Sequence, residues 1–155
     1  MRPVRAILFD KTPGANWSLG WHQDRTIAVR QKLVLPGFEK WTRKAGVDHV
    51  EPPIALLERM ITLRIHLDPV PPDNAPLLVI PGSHRLGLIE ESRIPGIVAS
   101  GNSTACHAEA GDVWAYATPI LHASARTKGQ SRHRRVLQID YSADRLPRAL
   151  EWLGV

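Results

Sequence analysis

Short alternating segments, separated by proline and glycine, characterise much of this sequence. Along Ile61–Leu67 every second residue is apolar, and Thr62, Arg64 and His66 share the opposite face. That is the two-residue period of a β-strand. Val136–Tyr141 alternates in the same way. Both segments therefore predict strands.

Other segments predict further short strands and very little helix. Ile54–Met60, which follows two prolines, predicts one or two helical turns. The further strand candidates are Val4–Phe9, Gly20–Val29, Leu77–Ile80, Val113–Ala117 and Ile120–Ala123. Many short strands joined by Gly- and Pro-containing turns are typical of an all-β sandwich or jelly roll.

The stretch Arg30–Pro53 carries the weakest pattern. It is polar and is interrupted by Pro36-Gly37, so we expect a long loop that is functional or acts as a lid.

His49 and His107 lie in polar, loop-like surroundings. We expect both imidazoles at the surface.

Length and cysteine usage narrow the class of protein. A chain of 155 residues suits one domain, which we expect to span residues 1–155. Cys106 is the single cysteine and cannot form an internal disulfide, which fits a reducing compartment. No apolar run approaches the roughly 20 residues of a membrane span, and the N-terminal apolar stretch is too short for a signal peptide. We expect a cytoplasmic protein that does not associate with membranes.

The net charge of +5 raises the question of nucleic-acid binding. The basic residues concentrate in the stretch Arg126–Arg135, whereas elsewhere they are interspersed with acidic residues. No zinc-finger spacing, basic zipper or aromatic strand signature accompanies this stretch. We therefore expect no nucleic-acid partner, and a solvated loop that leads into a strand.

The triplet His22-Gln23-Asp24 is the first candidate for chemistry. If the segment is a strand, the imidazole of His22 and the carboxylate of Asp24 point to the same side. Two such groups are ligands for a divalent metal, and a distant third ligand would complete the 2-His-1-carboxylate set of non-haem Fe(II) oxygenases. His122, on the predicted strand after Gly111-Asp112-Val113, is the best third ligand.

Several motifs, in this order and spacing, resemble the phytanoyl-CoA dioxygenase family of Fe(II)/2-oxoglutarate-dependent oxygenases. Together they extend from about Asp10 to Ser142, which is most of the chain. The matching segments are Asn16–Asp24, Leu77–Arg85, Gly111–Val113, Leu121–Ser124 and Arg134–Leu137.

The resemblance implies a mainly β fold, a cupin-like double-stranded β-helix (jelly roll) with few short helices. It implies Fe(II) held by His22, Asp24 and His122, with 2-oxoglutarate and O2 as co-substrates. It also implies an arginine for the far carboxylate of 2-oxoglutarate. Arg134 fits that position if the preceding loop has one extra residue, and Arg135 is the alternative. Ser124 matches a hydroxyl that contacts the co-substrate.

The function implied is a dioxygenase that hydroxylates a small organic substrate and releases succinate and CO2. Arg64 stands where relatives often carry Trp, and we expect it to influence substrate polarity. Relatives also carry a longer region before the first motif than precedes His22 here. A catalytically inactive jelly-roll module with a binding or oligomeric role is therefore the alternative, and an exposed sheet edge would favour a homodimer.

Overall fold

Antiparallel β-strands dominate residues 1–127 and 133–155, the part of the chain that the computed structural model describes. The strands are β1 (Arg2–Lys11), β2 (Leu19–His22), β3 (Ile27–Val29), β4 (Glu39–Lys44), β5 (Val47–Glu51), β6 (Ile61–His66), β7 (Leu77–Val79), β8 (Thr104–Cys106), β9 (Val113–Ala117), β10 (His122–Ser124) and β11 (Arg134–Ser142). The α-helices are α1 (Ile54–Leu57) and α2 (Ile94–Ser100), and 3₁₀ turns occupy Ser83–Leu86 and Glu91–Arg93.

Three sheets organise these strands. The first sheet has the order β1-β11-β6-β9, the second β2-β10-β7-β8, and the third β3-β5-β4. Side chains from the first and second sheets line one shared cavity, so these two sheets face each other. Two opposed antiparallel sheets with crossovers between them form the jelly roll, and the predicted all-β fold class is confirmed.

The inner face of the first sheet is largely polar along its two central strands, β6 and β11. On β6 the side chains of Thr62, Arg64 and His66 are buried, and on β11 those of Arg134 and Gln138 are buried too. The alternate, apolar residues of β6 face the other way, where Ile61 is exposed and Leu63 and Ile65 are half-buried. The alternation predicted from sequence is present, and it turns the polar side chains towards the interior.

The strand predicted over Gly20–Val29 is in fact two strands, β2 and β3, which belong to different sheets. Between them the backbone leaves the second sheet and buries the side chain of Gln23. The Gln23 amide nitrogen donates to the Pro119 and Gly87 carbonyls, at 2.7 and 3.0 Å. These hydrogen bonds hold the segment away from a continuous strand.

The long loop predicted over Arg30–Pro53 is wrong, because this stretch contains β4 and β5. The two strands pair with each other, and β5 also pairs with β3. Most of β4 is solvent-exposed, which explains the polar sequence. His49 lies on β5 and is buried, contrary to the expectation for it, whereas His107 is exposed as expected.

The largest apolar cluster supports the third sheet and includes Ile27, Val50, Leu57 and Trp152. Helix α1 lies where the sequence predicts it and contributes Leu56 and Leu57 to the interior. Among the described residues, no helix has the length and apolar character needed to span a membrane.

Candidate active site

Two histidines meet across the strands of the second sheet. His22 ends β2, His122 begins β10, and the two are direct register partners. Their ring centroids are 4.3 Å apart. Asp24, two residues beyond β2, places its Oδ2 atom 4.0 Å from Nε2 of His122. One ligand atom from each of the three side chains lies within 4.8 Å of the other two, so the predicted triplet converges in space.

The backbone fixes the orientation of both imidazole rings. Nδ1 of His22 donates to the carbonyl of Gly20 at 2.7 Å, and Nδ1 of His122 donates to the carbonyl of Ile120 at 2.9 Å. With the proton on Nδ1, each ring keeps a lone pair on Nε2. Such an outer hydrogen bond is what orients metal-ligating histidines.

Burial favours the neutral form of His122. The ring is almost completely buried, and this burial lowers its pKa, although the nearby carboxylate of Asp24 acts in the opposite direction. A neutral imidazole is the form that binds a metal.

Gln23, between the two predicted ligands, anchors their segment to the protein. Besides its two bonds to the Pro119 and Gly87 carbonyls, its Oε1 accepts from the backbone N–H of Ile89 at 2.8 Å. Ser83 anchors the start of β10, because its Oγ accepts a hydrogen bond from the backbone N–H of Leu121 at 2.8 Å. Neither residue could be identified from the sequence, because polar side chains that anchor a backbone segment leave no periodic signal.

A cavity of about 80 Å³ lies beside the triplet, between the two facing sheets. His22, Asp24 and His122 line it, and so do the buried guanidinium groups of Arg64 and Arg134. Asp24 is the one carboxylate in this lining. The surroundings are therefore strongly cationic.

Arg134 points into the protein. Its side chain is 2% exposed, Nη1 donates to the Ala75 carbonyl at 2.6 Å, and the buried Nε has no hydrogen-bond partner. Burial, together with the charge of Arg64, lowers the pKa of Arg134 to about 10, so it remains charged at neutral pH. A buried cation with an unused donor is suited to an anionic ligand.

Arg135 points the other way. Its side chain is 48% exposed and forms a two-pronged ion pair with Asp68, with Nε–Oδ2 at 2.9 Å and Nη2–Oδ1 at 2.7 Å. Successive residues of a strand face opposite sides. Of the two alternatives left open by the sequence, only Arg134 therefore faces the cavity.

Ser124 lines the cavity and is held by a residue that sequence analysis missed. The Nζ of Lys11 donates to Ser124 Oγ at 3.0 Å and lies 5.3 Å from the ring centre of Trp17. Lys11 is completely buried. Burial, with the charges of Arg134 and Arg64, lowers its pKa to about 8. The two-residue spacing of Ile7, Phe9 and Lys11 places them on one face of a strand, and this is the sequence signal that could have identified Lys11.

The basic stretch Arg126–Arg135 does not form a single charged surface in the part of it that is described. Arg134 is interior, Arg135 pairs with Asp68, and His133 contacts Asp10 at 3.0 Å. Residues 128–132, including Lys128 and Arg132, lie outside the described residues.

The family assignment comes from a match to a sequence model described as "Phytanoyl-CoA dioxygenase (PhyH)", which covers residues 2–136. The chain belongs to this family. The matched region includes His22, Asp24, His122 and Arg134.

Solved structures share the PhyH fold of this chain. AviO1 from Streptomyces viridochromogenes Tue57 is 24% identical with a TM-score of 0.63, over 95% of this chain and 53% of that one. The apo form of EctD from S. alaskensis is 20% identical with a TM-score of 0.65, over 97% and 47%. HygX from Streptomyces hygroscopicus, solved with nickel and 2-oxoglutarate bound, is 16% identical with a TM-score of 0.56, over 91% and 57%.

The chain spans about half the length of these solved relatives. At these identities the likeness establishes the fold. No curated protein sequence matches the chain.

Proposed function

We propose that this chain contains the active site of an Fe(II)- and 2-oxoglutarate-dependent dioxygenase that hydroxylates a small organic substrate. The observation that carries the proposal is the cavity itself. It combines three convergent side chains that could hold a metal with a buried, incompletely bonded arginine, Arg134. A metal and an anionic co-substrate together satisfy both features.

The donor set fits Fe(II). His22 and His122 would offer Nε2, because each Nδ1 is bonded to a backbone carbonyl, and Asp24 would offer a carboxylate oxygen. Two imidazoles and one carboxylate on one side of a metal form the arrangement used by non-haem Fe(II) oxygenases, which leaves open positions for other ligands.

A second group of residues in the site, Arg134, Ser124 and Lys11, fits 2-oxoglutarate. Arg134 would bind the carboxylate far from the metal through its unused N–H groups, and the hydroxyl of Ser124 would donate to the same carboxylate while it accepts from Lys11. Lys11 and Arg134 are register partners on β1 and β11, so two buried cations stand side by side. A carboxylate would offset their mutual repulsion.

Bound Fe(II) and 2-oxoglutarate would supply the oxidation, in which one oxygen atom of O2 enters the substrate C–H bond, the other enters succinate, and CO2 is released. The protein's own residues would hold these groups in place. The backbone bonds of His22 and His122 fix the rings, and the anchors Gln23 and Ser83 fix the strands that carry them.

The experiment is to load the protein anaerobically with Fe(II) and 2-oxoglutarate, admit air, and measure bound iron and succinate. We expect succinate above an iron-only blank from the natural chain, and loss of both iron and succinate in His122→Ala. The matched control is His107→Ala, whose imidazole is exposed and should change neither quantity. A folded, iron-loaded natural chain that forms no succinate would refute the proposal.

The inactive-module alternative gains no support from the described residues, because the three metal-binding side chains are close together and the cavity beside them is not filled by side chains. The single domain over residues 1–155, the cytoplasmic location, the homodimer and the lack of a nucleic-acid partner stay predictions.

A further inference from the structure

Arg64 is a second buried arginine in the cavity, and the proposed function does not use it. It lies on β6 and its side chain is 94% buried, since 6% is exposed. Nη1 donates to Gln138 Oε1 at 2.8 Å, and the buried Nε has no partner. Within residues 1–127 and 133–155, no carboxylate oxygen lies within 4.0 Å of its guanidinium nitrogens.

The other charged groups around the cavity already have partners or roles. Arg5 pairs with Asp140 at 3.7 Å, and Asp24 is assigned to the metal. Arg134 is assigned to the far carboxylate of 2-oxoglutarate. Arg64 thus retains an uncompensated charge, and a buried charge without a counter-ion is strongly unfavourable.

The geometry of Arg64 also indicates which group it binds. Its guanidinium lies 5.5 Å from the ring centre of Phe9, and Nη1 is held by Gln138. These contacts hold the guanidinium in place, while its Nε donor has no hydrogen-bond partner among the described residues. Two parallel N–H donors on one edge match the two oxygens of a carboxylate.

We propose that Arg64 binds a carboxylate of the substrate, so that the substrate of this enzyme is a small carboxylic acid. This inference rests on the proposed function, because it takes the co-substrate to occupy Arg134. The substrate's anionic end would lie beside the metal ligands, since Arg64, His22, Asp24 and His122 line the same cavity.

The test uses acetate as the probe and acetamide as its neutral counterpart. The protein is loaded with Co(II), which does not support oxygen chemistry, and with saturating 2-oxoglutarate, whose binding is first verified by calorimetry. The NMR linewidth of the probe's methyl group then reports whether it lies near the paramagnetic metal. We expect broadening of acetate and not of acetamide with the natural chain.

Variants assign the effect to one residue. Arg64→Gln should abolish the broadening of acetate while 2-oxoglutarate still binds, whereas Arg135→Gln, which alters an exposed arginine, should behave like the natural chain. Arg64→Lys keeps the charge without the two-pronged edge and should bind acetate about ten-fold more weakly. This second variant remains informative if Arg64→Gln does not fold.

Three results would overturn the inference about Arg64 alone. They are equal broadening of acetate and acetamide, no broadening of acetate by a chain that binds 2-oxoglutarate normally, and unchanged acetate binding in Arg64→Gln or Arg64→Lys. Loss of 2-oxoglutarate binding in Arg64→Gln would also overturn it, because Arg64 would then hold the co-substrate. If the natural chain binds no Co(II) or no 2-oxoglutarate, the proposed function fails first and the inference fails with it.

Discussion

Lys11 on β1 and Arg134 on β11 are direct partners in the strand register, and both side chains are buried. Like charges placed opposite each other on neighbouring strands are unfavourable, and burial makes the repulsion stronger. The pair is therefore expected to be stabilised by a bound anion. It also links β1 to the proposed co-substrate site, because Lys11 holds Ser124.

Replacement of Lys11 should weaken co-substrate binding without loss of the metal. In Lys11→Met the hydroxyl of Ser124 loses its donor and one positive charge disappears, so we expect the affinity for 2-oxoglutarate to fall about ten-fold. Calorimetry on the Co(II)-loaded protein measures it. Lys44→Met, at an exposed position of β4, is the control. Equal affinity in Lys11→Met and the natural chain would contradict the role of Lys11.

Gln23 should matter both for stability and for the metal. Gln23→Ala leaves two carbonyls and one N–H without partners, which costs about 1–3 kcal/mol for each buried group that stays unsatisfied. We expect a lower free energy of unfolding in urea and weaker Co(II) binding, because His22 and Asp24 flank this anchor. The exposed Gln31→Ala should change neither. Unaltered metal affinity in a destabilised Gln23→Ala would restrict Gln23 to a structural role.

His66 should make the protein sensitive to acid. Burial, with the charges of Arg64 and Arg134, lowers its pKa from 6.5 to about 4. The unfolded chain therefore takes up a proton at a higher pH than the folded chain does, so stability falls as the pH decreases from about 6.5 to about 4. Between these two pH values, His66 lowers the free energy of unfolding by up to about 1.4 kcal/mol for each unit by which the pH falls.

The variant His66→Leu isolates this contribution. Both ring nitrogens of His66 are buried without partners, so leucine removes no hydrogen bond. Urea unfolding at a series of pH values should show a shallower acid slope for His66→Leu than for the natural chain, and an unchanged slope for the exposed His107→Leu. The slopes of the natural chain and His66→Leu would coincide if His66 were protonated normally in the folded state.

The alternation of β6 and β11 was sufficient to predict strands and to group Arg64 with His66. It could not show that the polar face is the inner one, because a two-residue period is identical whichever face is buried. Likewise, the spacing of motifs predicted that His22, Asp24 and His122 belong together, whereas their convergence depends on the pairing of β2 with β10, which joins residues 100 positions apart.

Each wrong or missing prediction has a specific physical cause. Arg30–Pro53 was predicted as a loop because β4 is largely exposed and carries little apolar pattern, while its partner β5 buries His49. No role was predicted for Lys11, because it follows Asp10 and precedes Pro13 and Gly14, which favour a turn. Its role depends on a contact with Ser124, which is 113 residues away in the sequence.

The most direct test of the proposed active site is calorimetric titration of 2-oxoglutarate into the Co(II)-loaded protein, with Arg134→Gln and Arg135→Gln compared side by side. We predict one 2-oxoglutarate bound per chain in the natural protein and in Arg135→Gln. We predict affinity reduced about ten-fold or more in Arg134→Gln, because a charge-assisted two-pronged contact is lost. No binding to the natural chain, or a loss of binding in Arg135→Gln and not in Arg134→Gln, would contradict the assignment.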